Sequence, residues 1–92
     1  MYAVAANVVM YRTRFCPYCI RANFLLKGKH VSFQEIDVSG DLERRAWLRE
    51  ATGQHTVPQI FINDRSIGGF SELSALEHSG QLDRLLAEEP QP

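Results

Sequence analysis

Apolar and polar positions follow two rhythms along this chain, and the changes of rhythm mark its elements. Asn7-Val8-Val9-Met10-Tyr11-Arg12 is a β-branched and aromatic run that reads as a first strand. It passes through Thr13-Arg14-Phe15 into Cys16-Pro17-Tyr18-Cys19. Pro17 suits a first helical position, where its missing N–H costs nothing, and Tyr18 to Lys29 contains no breaker before Gly28. A first helix therefore begins at the cysteines. Within it Cys19, Ala22 and Leu26 recur at i, i+3 and i+7, so Cys19 falls on the face turned to the core while Cys16 lies exposed at the open end.

Val31 to Val38 reads as a second strand, with an alternation that falters at Glu35, and Ser39-Gly40-Asp41 turns the chain. Leu42 to Thr52 is rich in helix formers, with an acidic start, an Asp41–Arg45 pair at i, i+4 and Gly53 as its stop. Strand, helix, strand and helix in that order predict a right-handed unit with two parallel strands. Val57 to Ile62 and Arg65 to Gly68 then flank Asn63-Asp64, a pair that tolerates the positive φ angles of a two-residue hairpin. After Gly68-Gly69, Ser71 is a candidate cap for a helix over Glu72 to Ser79. Gln81 to Glu88 forms a last helical segment with Leu82, Leu85 and Leu86 inward, and Glu89-Pro90-Gln91-Pro92 reads as a frayed tail.

Composition narrows the class. Ninety-two residues suffice for one domain, residues 1–92 with an ordered core over about 7–88, because so short a chain cannot supply a second hydrophobic core. Ten basic and eleven acidic residues, interspersed, leave no electrostatic footprint for nucleic acid or an anionic membrane. Met1 to Tyr11 lacks the basic start and cleavage room of a signal peptide, and no stretch is long enough to span a bilayer. A cytoplasmic monomer is expected, since no apolar heptad repeat demands a dimer.

The two cysteines close too short a loop to act as a structural staple. One helical turn instead brings them within disulfide range, so the bond can open and close with little backbone movement. Cys16 stands at the unpaired N–H groups and the positive end of the helix dipole, which favours its thiolate and makes it the nucleophile. Cys19, one turn inward, is placed to attack a mixed disulfide formed on Cys16. Zinc wants about four ligands. The chain offers no second cysteine pair, and His30, His55 and His78 are scattered in sequence, so no metal is expected.

Cys16-Pro17-Tyr18-Cys19, Thr56-Val57-Pro58-Gln59-Ile60-Phe61-Ile62 and Ile67-Gly68-Gly69, in that order and spacing, resemble a glutaredoxin of the short bacterial dithiol class. The resemblance runs from Val8 to Leu86 and implies an α/β, thioredoxin-like fold, with a four-stranded mixed sheet in the order 2-1-3-4 flanked by helices. It implies a cis bond before Pro58, where pattern alone would read a trans proline opening an edge strand. It also implies glutathione as reductant, and disulfide-containing or glutathionylated proteins as substrates. Glutathione-binding positions carried over are Cys16, Tyr18, Thr56, Val57, Pro58, Gly69, Phe70 and Ser71. The Val57 backbone would pair with the cysteinyl unit, and the backbone at Phe70 and Ser71 would bind the γ-glutamyl carboxylate. Two departures stand out. Phe70-Ser71-Glu72 replaces a cysteine followed by an acidic pair, and Thr13 stands where many members carry lysine, leaving Arg14, or else Arg12, to supply the charge. Gln54 and His55 receive no role, and Trp47 is assigned to packing. Phe15 before the motif and Pro17-Tyr18 within it differ from the Trp and Gly-Pro of a thioredoxin fed by a flavoprotein. An iron–sulfur carrier built from a glutathione-bridged dimer is the alternative from another class, disfavoured by the rigid Pro17.

Overall fold

The computed structural model describes residues 6–90; the sequence-based statements about Met1–Ala5, and about fraying at Gln91 and Pro92, lie outside the described residues. The elements are β1 (Val8–Arg12), α1 (Pro17–Gly28), β2 (Gln34–Asp37), α2 (Leu42–Thr52), β3 (Gln59–Ile62), β4 (Arg65–Gly68), α3 (Phe70–Ser79) and α4 (Gln81–Ala87). The strands form one four-stranded sheet in the order β2-β1-β3-β4. β1 runs parallel to β2 and antiparallel to β3, and β3 and β4 form an antiparallel hairpin. This is the mixed, thioredoxin-like sheet that the resemblance implied.

Period-two alternation divides the strands between two faces. Val8, Met10, Ile60 and Ile62 point to one side, where they bury against Ala22 and Leu26 of α1, Leu73 of α3, and Leu82 and Leu86 of α4. Tyr11 and Phe61 point to the other side and pack against Trp47 of α2, with ring centroids 5.5–5.8 Å apart. The assignment of Trp47 to packing holds, although 47% of the residue remains exposed.

Several boundaries differ from the sequence-based expectation, each for a local reason. β2 spans only Gln34–Asp37, because those are the residues that find register partners on β1. Phe33 packs toward the main core, and Ile36 lies opposite Tyr11, toward α2. The alternation falters at Glu35 because β2 is an edge strand whose inward carboxylate is met by Arg12, 2.9 Å away. α1 begins at Pro17 as expected, but Gly28 stays helical and the chain turns at His30, with φ 58°. Asp41 does not pair with Arg45; its carboxylate accepts the Arg44 N–H at 3.0 Å and caps α2, satisfying an N–H that would otherwise lack a partner. Likewise Ser71 is not a cap. α3 begins at Phe70 with Gly69 at the cap position, and Glu72 Oε1 accepts the Gly69 N–H at 2.7 Å. β3 begins at Gln59 rather than Val57, and the Val57–Pro58 bond is cis. The Asn63-Asp64 turn has the expected positive φ angles, 51° and 65°.

At its far end α1 is tied to the last two helices. Lys29 Nζ lies 2.8 Å from Glu77 Oε1 and 2.7 Å from Asp83 Oδ1. Hydrogen bonds that Lys29 donates to Asp83 and then Glu77 outweigh partial burial and push its pKa up to about 12.

Candidate active site

Cys16 is the N-cap of α1, in extended conformation, and Pro17 follows at the first helical position. Its Sγ accepts the Cys19 N–H at 3.1 Å. A sulfur at this place receives one of the helix's spare N–H groups and the positive end of its dipole, the environment that stabilises a thiolate. The two sulfurs are joined as a disulfide, with the Cα atoms 5.1 Å apart.

Cys19 is fully buried on the core face, as its helical phase predicted. Cys16 departs from expectation: it is only 7% exposed. Two contacts account for this, its bond to Cys19 and the Val57 carbonyl oxygen, 3.7 Å from Sγ. Reduction of the disulfide frees the Cys16 sulfur at the mouth of the helix while Cys19 stays within the fold.

Beside the pair lies a hollow of about 340 Å³, lined by Tyr18, Gln54, Thr56, Val57, Pro58, Gly69, Phe70, Ser71 and Glu72. Its size sits at the low end of the roughly 300–1,000 Å³ usual for small-molecule sites. Tyr18, Thr56, Val57, Pro58, Gly69, Phe70 and Ser71 had been singled out in the sequence, and the fold brings them to one place, with Cys16 against Val57 at its edge. Tyr18 and Phe70 meet across the top with ring centroids 6.2 Å apart, and the Arg21 guanidinium sits 5.4 Å above the Tyr18 ring.

Val57 precedes β3 and belongs to no ladder, so its N–H has no hydrogen-bond partner among the described residues. An unpaired extended backbone next to a reactive sulfur is an edge to which a peptide can add as a strand. At the other end, Gly68 holds φ +111°, and a Cβ there would come within 2.6 Å of Glu72 Oε1. A Cβ on Gly69 would stand 3.2 Å from the Pro58 carbonyl oxygen. The two glycines thus let the start of α3 close against Pro58 and complete the hollow.

Two predicted contributors lie elsewhere. Arg14, favoured as the stand-in for lysine, belongs to a separate hollow with Thr13, Phe15 and Ser39, and its Nε is 3.5 Å from Asp37. Arg12 is held by Glu35. Arg12 follows β1 toward the acidic edge of its parallel neighbour β2, and Arg14, just past the end of β1, is held beside the loop after β2, where its backbone N–H donates to Ser39 Oγ. Backbone and hydroxyl hydrogen bonds from Ser39, with a lesser effect of Arg14, hold the Asp37 carboxyl below its usual range.

Gln54 and Glu72 line the hollow without having been assigned a role. Glu72 carried a readable signal, an acidic residue three places after a glycine turn and thus able to cap the helix. Gln54 carried none by itself. A larger hollow of about 590 Å³, lined by Ile67, Ala75, Leu76 and Leu85 among others, lies away from the cysteines and touches no sulfur. The histidines are exposed, and among the described residues no group of three or more His, Cys, Asp or Glu side chains is arranged to hold a metal.

Comparison with known proteins agrees with this geometry. The family model described as Glutaredoxin matches residues 8–67. The chain is 52% identical over 80 residues to a glutaredoxin of Pseudomonas aeruginosa, covering 87% of this chain and 95% of that one. It is 48% identical over 81 residues to glutaredoxin 3 of Escherichia coli K12, covering 88% and 98%. Among solved structures, the solution structure of a glutaredoxin from Brucella melitensis superposes with a TM-score of 0.82 at 45% identity, covering 92% of each chain. A buckwheat glutaredoxin–glutathione complex superposes with a TM-score of 0.83 at 30% identity, covering 88% of this chain and 76% of that one.

Proposed function

The chain belongs to the glutaredoxin family and is a thiol–disulfide oxidoreductase, and from that premise we propose that glutathione is its reductant and that it acts on protein disulfides and glutathionylated proteins. The observation that carries this reading is the Val57 carbonyl 3.7 Å from Cys16 Sγ at the edge of a hollow. A tripeptide laid along Val57 as an added strand brings its own sulfur to the attacking one. Tyr18, Thr56 and Pro58 flank it, and the first-turn N–H groups of α3 at Phe70 and Ser71 receive its γ-glutamyl carboxylate, the charge a helix N-terminus favours.

On a glutathionylated protein, the Cys16 thiolate attacks the glutathione sulfur, the protein thiolate leaves and takes up a proton, and Cys16 carries glutathione. A second glutathione thiolate attacks that mixed disulfide, releasing oxidised glutathione and restoring the Cys16 thiolate. On a protein disulfide, Cys16 forms a mixed disulfide with the substrate. Cys19 then gives up its proton to the departing sulfur, attacks Cys16 Sγ and releases the reduced protein. The Cys16–Cys19 disulfide left behind is the state the structure holds, and two glutathiones reduce it. This chemistry fits a reducing cytoplasm. Nothing in the site favours cluster carriage over dithiol exchange.

The test is to mix reduced Cys19→Ser protein with oxidised glutathione and map adducts by mass spectrometry. One glutathione on Cys16 is expected, with turnover of the native protein sustained by glutathione and glutathione reductase. No adduct, together with turnover only by thioredoxin reductase, would exclude the reading.

A further inference from the structure

We infer that the outer face of α1, from Pro17 through Ile20 and Phe24 to Lys27, is the docking surface for a substrate polypeptide, and that the segment it takes is apolar with acidic side chains beside it. Cys19, Ala22 and Leu26 turn one face of α1 to the core, and a surface helix ordinarily carries polar residues on the other. Here the opposite face carries Ile20, 46% exposed, and Phe24, 69% exposed, one turn apart. Six large apolar side chains are exposed among the described residues, and four of them, Phe15, Tyr18, Ile20 and Phe24, cluster around the cysteines. Tyr18 belongs to the hollow, but Ile20 and Phe24 do not line it. Apolar surface that the core does not use, beside a reactive sulfur, marks a site of interaction.

Charge and position identify the occupant. Every charged residue of α1 is basic: Arg21, on the outer face beside Phe24, and Lys27, one turn beyond it. Neither is in an ion pair among the described residues, and the Arg21 guanidinium rests on the Tyr18 ring. The neighbouring acids are engaged: Glu35, whose charge Lys27 also feels, by Arg12 and Asn23, and Glu77 and Asp83 by Lys29. An unpaired basic rim around an apolar centre complements a segment with glutamate or aspartate beside its apolar residues. A second copy fits worse. Two-fold pairing through α1 would set Arg21 and Lys27 of one protomer against the same residues of the other, like charge on like. The face also begins at the sulfur that substrates must reach. Phe24 lies eight residues from Cys16 along the helix, about 12 Å at 1.5 Å per residue, a span that about four residues of extended chain cover. A polypeptide whose sulfur meets Cys16 has its next few residues within reach of Ile20 and Phe24.

The probes are short peptides with a central cysteine held in a mixed disulfide with 2-mercaptoethanol, and with leucine and glutamate alternating over about four residues on each side. Two control peptides carry lysine for glutamate or serine for leucine. Reduced protein in excess converts each to the peptide thiol and 2-mercaptoethanol while Cys16 and Cys19 become a disulfide. Glutathione takes no part, so the outcome is independent of the glutathione reading. Release of the peptide thiol is followed by chromatography, and each rate is divided by that of dithiothreitol on the same peptide. On this scale the native protein should reduce the leucine and glutamate peptide about tenfold faster than either control. Ile20→Gln with Phe24→Gln should remove most of the advantage over the serine peptide, and Lys27→Glu should cut the preference for glutamate over lysine about threefold or more. All three side chains are exposed, so both variants should fold and keep their rate on bis(2-hydroxyethyl) disulfide within about twofold of native. Equal scaled rates for the three peptides, or preferences that survive both variants, would overturn the inference. A native dimer that Phe24→Gln dissolves, measured by sedimentation, would also overturn it and give the face to a second copy.

Discussion

Two sulfurs one helical turn apart stand among different atoms, and the different roles proposed for them follow from that. Cys16 holds the cap position, where its Sγ accepts the Cys19 N–H at 3.1 Å, and Cys19 is closed off inside the core. Serine caps a helix at least as well as cysteine, so Cys16→Ser should keep the reduced protein within about 1 kcal/mol of native stability while abolishing every reductase activity. Cys19→Ser should keep deglutathionylation and lose reduction of protein disulfides. Thermal unfolding beside a glutathione-coupled assay checks both; equal loss of all activities from the two substitutions would contradict the division of roles. Helical phase was enough to foresee the burial of Cys19. The near-burial of Cys16 was not foreseeable, because it comes from Val57, 41 positions away along the chain. Gln59 had a faint signal, a polar residue in an otherwise apolar strand, but its hydrogen-bond partners Gln54 and Thr56 are supplied only by the fold.

At the scale of elements, the parallel pair β1 and β2 is held at its edge by charge. Burial works against ionisation of Glu35, but hydrogen bonds from Arg12 and Asn23 outweigh it and hold the carboxyl below its ordinary range. A depressed carboxyl contributes stability above its unfolded value, and the contribution is lost as pH falls through the folded value. Glu35→Gln should therefore cost about 0.5–1 kcal/mol near pH 7 and almost nothing by about pH 3. Urea unfolding at the two pH values measures the difference; the same cost at both would remove the ion pair as the cause. Element type was legible throughout, since helix and strand periods differ plainly here. Ends were less so. The caps at Asp41 and Gly69 depend on which N–H a short side chain reaches, and the shortness of β2 depends on where β1 offers partners.

For the whole molecule, Lys29 is the tie that closes the far end of the helical layer, joining α1 to Glu77 of α3 and Asp83 of α4. Because folding raises its pKa to about 12, the contribution is complete below the unfolded value and is lost only as pH climbs through the folded one. Lys29→Met should destabilise the protein by roughly 1–2 kcal/mol at neutral pH, leaving two carboxylates near one another without their cation. Trp47, the single tryptophan, packs on Tyr11 and Phe61 and reports the unfolding by fluorescence; an unchanged midpoint would show that the tie is merely superficial. What the sequence determined by itself was local and periodic: the elements, the face on which Cys19 lies, the capping position of Cys16 and the positive-φ turn at Asn63-Asp64. It also carried the family motifs, and with them the sheet order. Tertiary structure decided what depends on distant chain segments meeting: the hollow assembled from Tyr18, Gln54, Thr56 to Pro58 and Gly69 to Glu72, the capture of Arg12 and Arg14 by the acids of β2, and the hydrogen bond from Gln59 to Gln54. The Cys16-Pro17-Tyr18-Cys19 turn could be read early because a single helical turn contains all of its geometry, whereas a binding surface exists only after the chain has folded back upon itself.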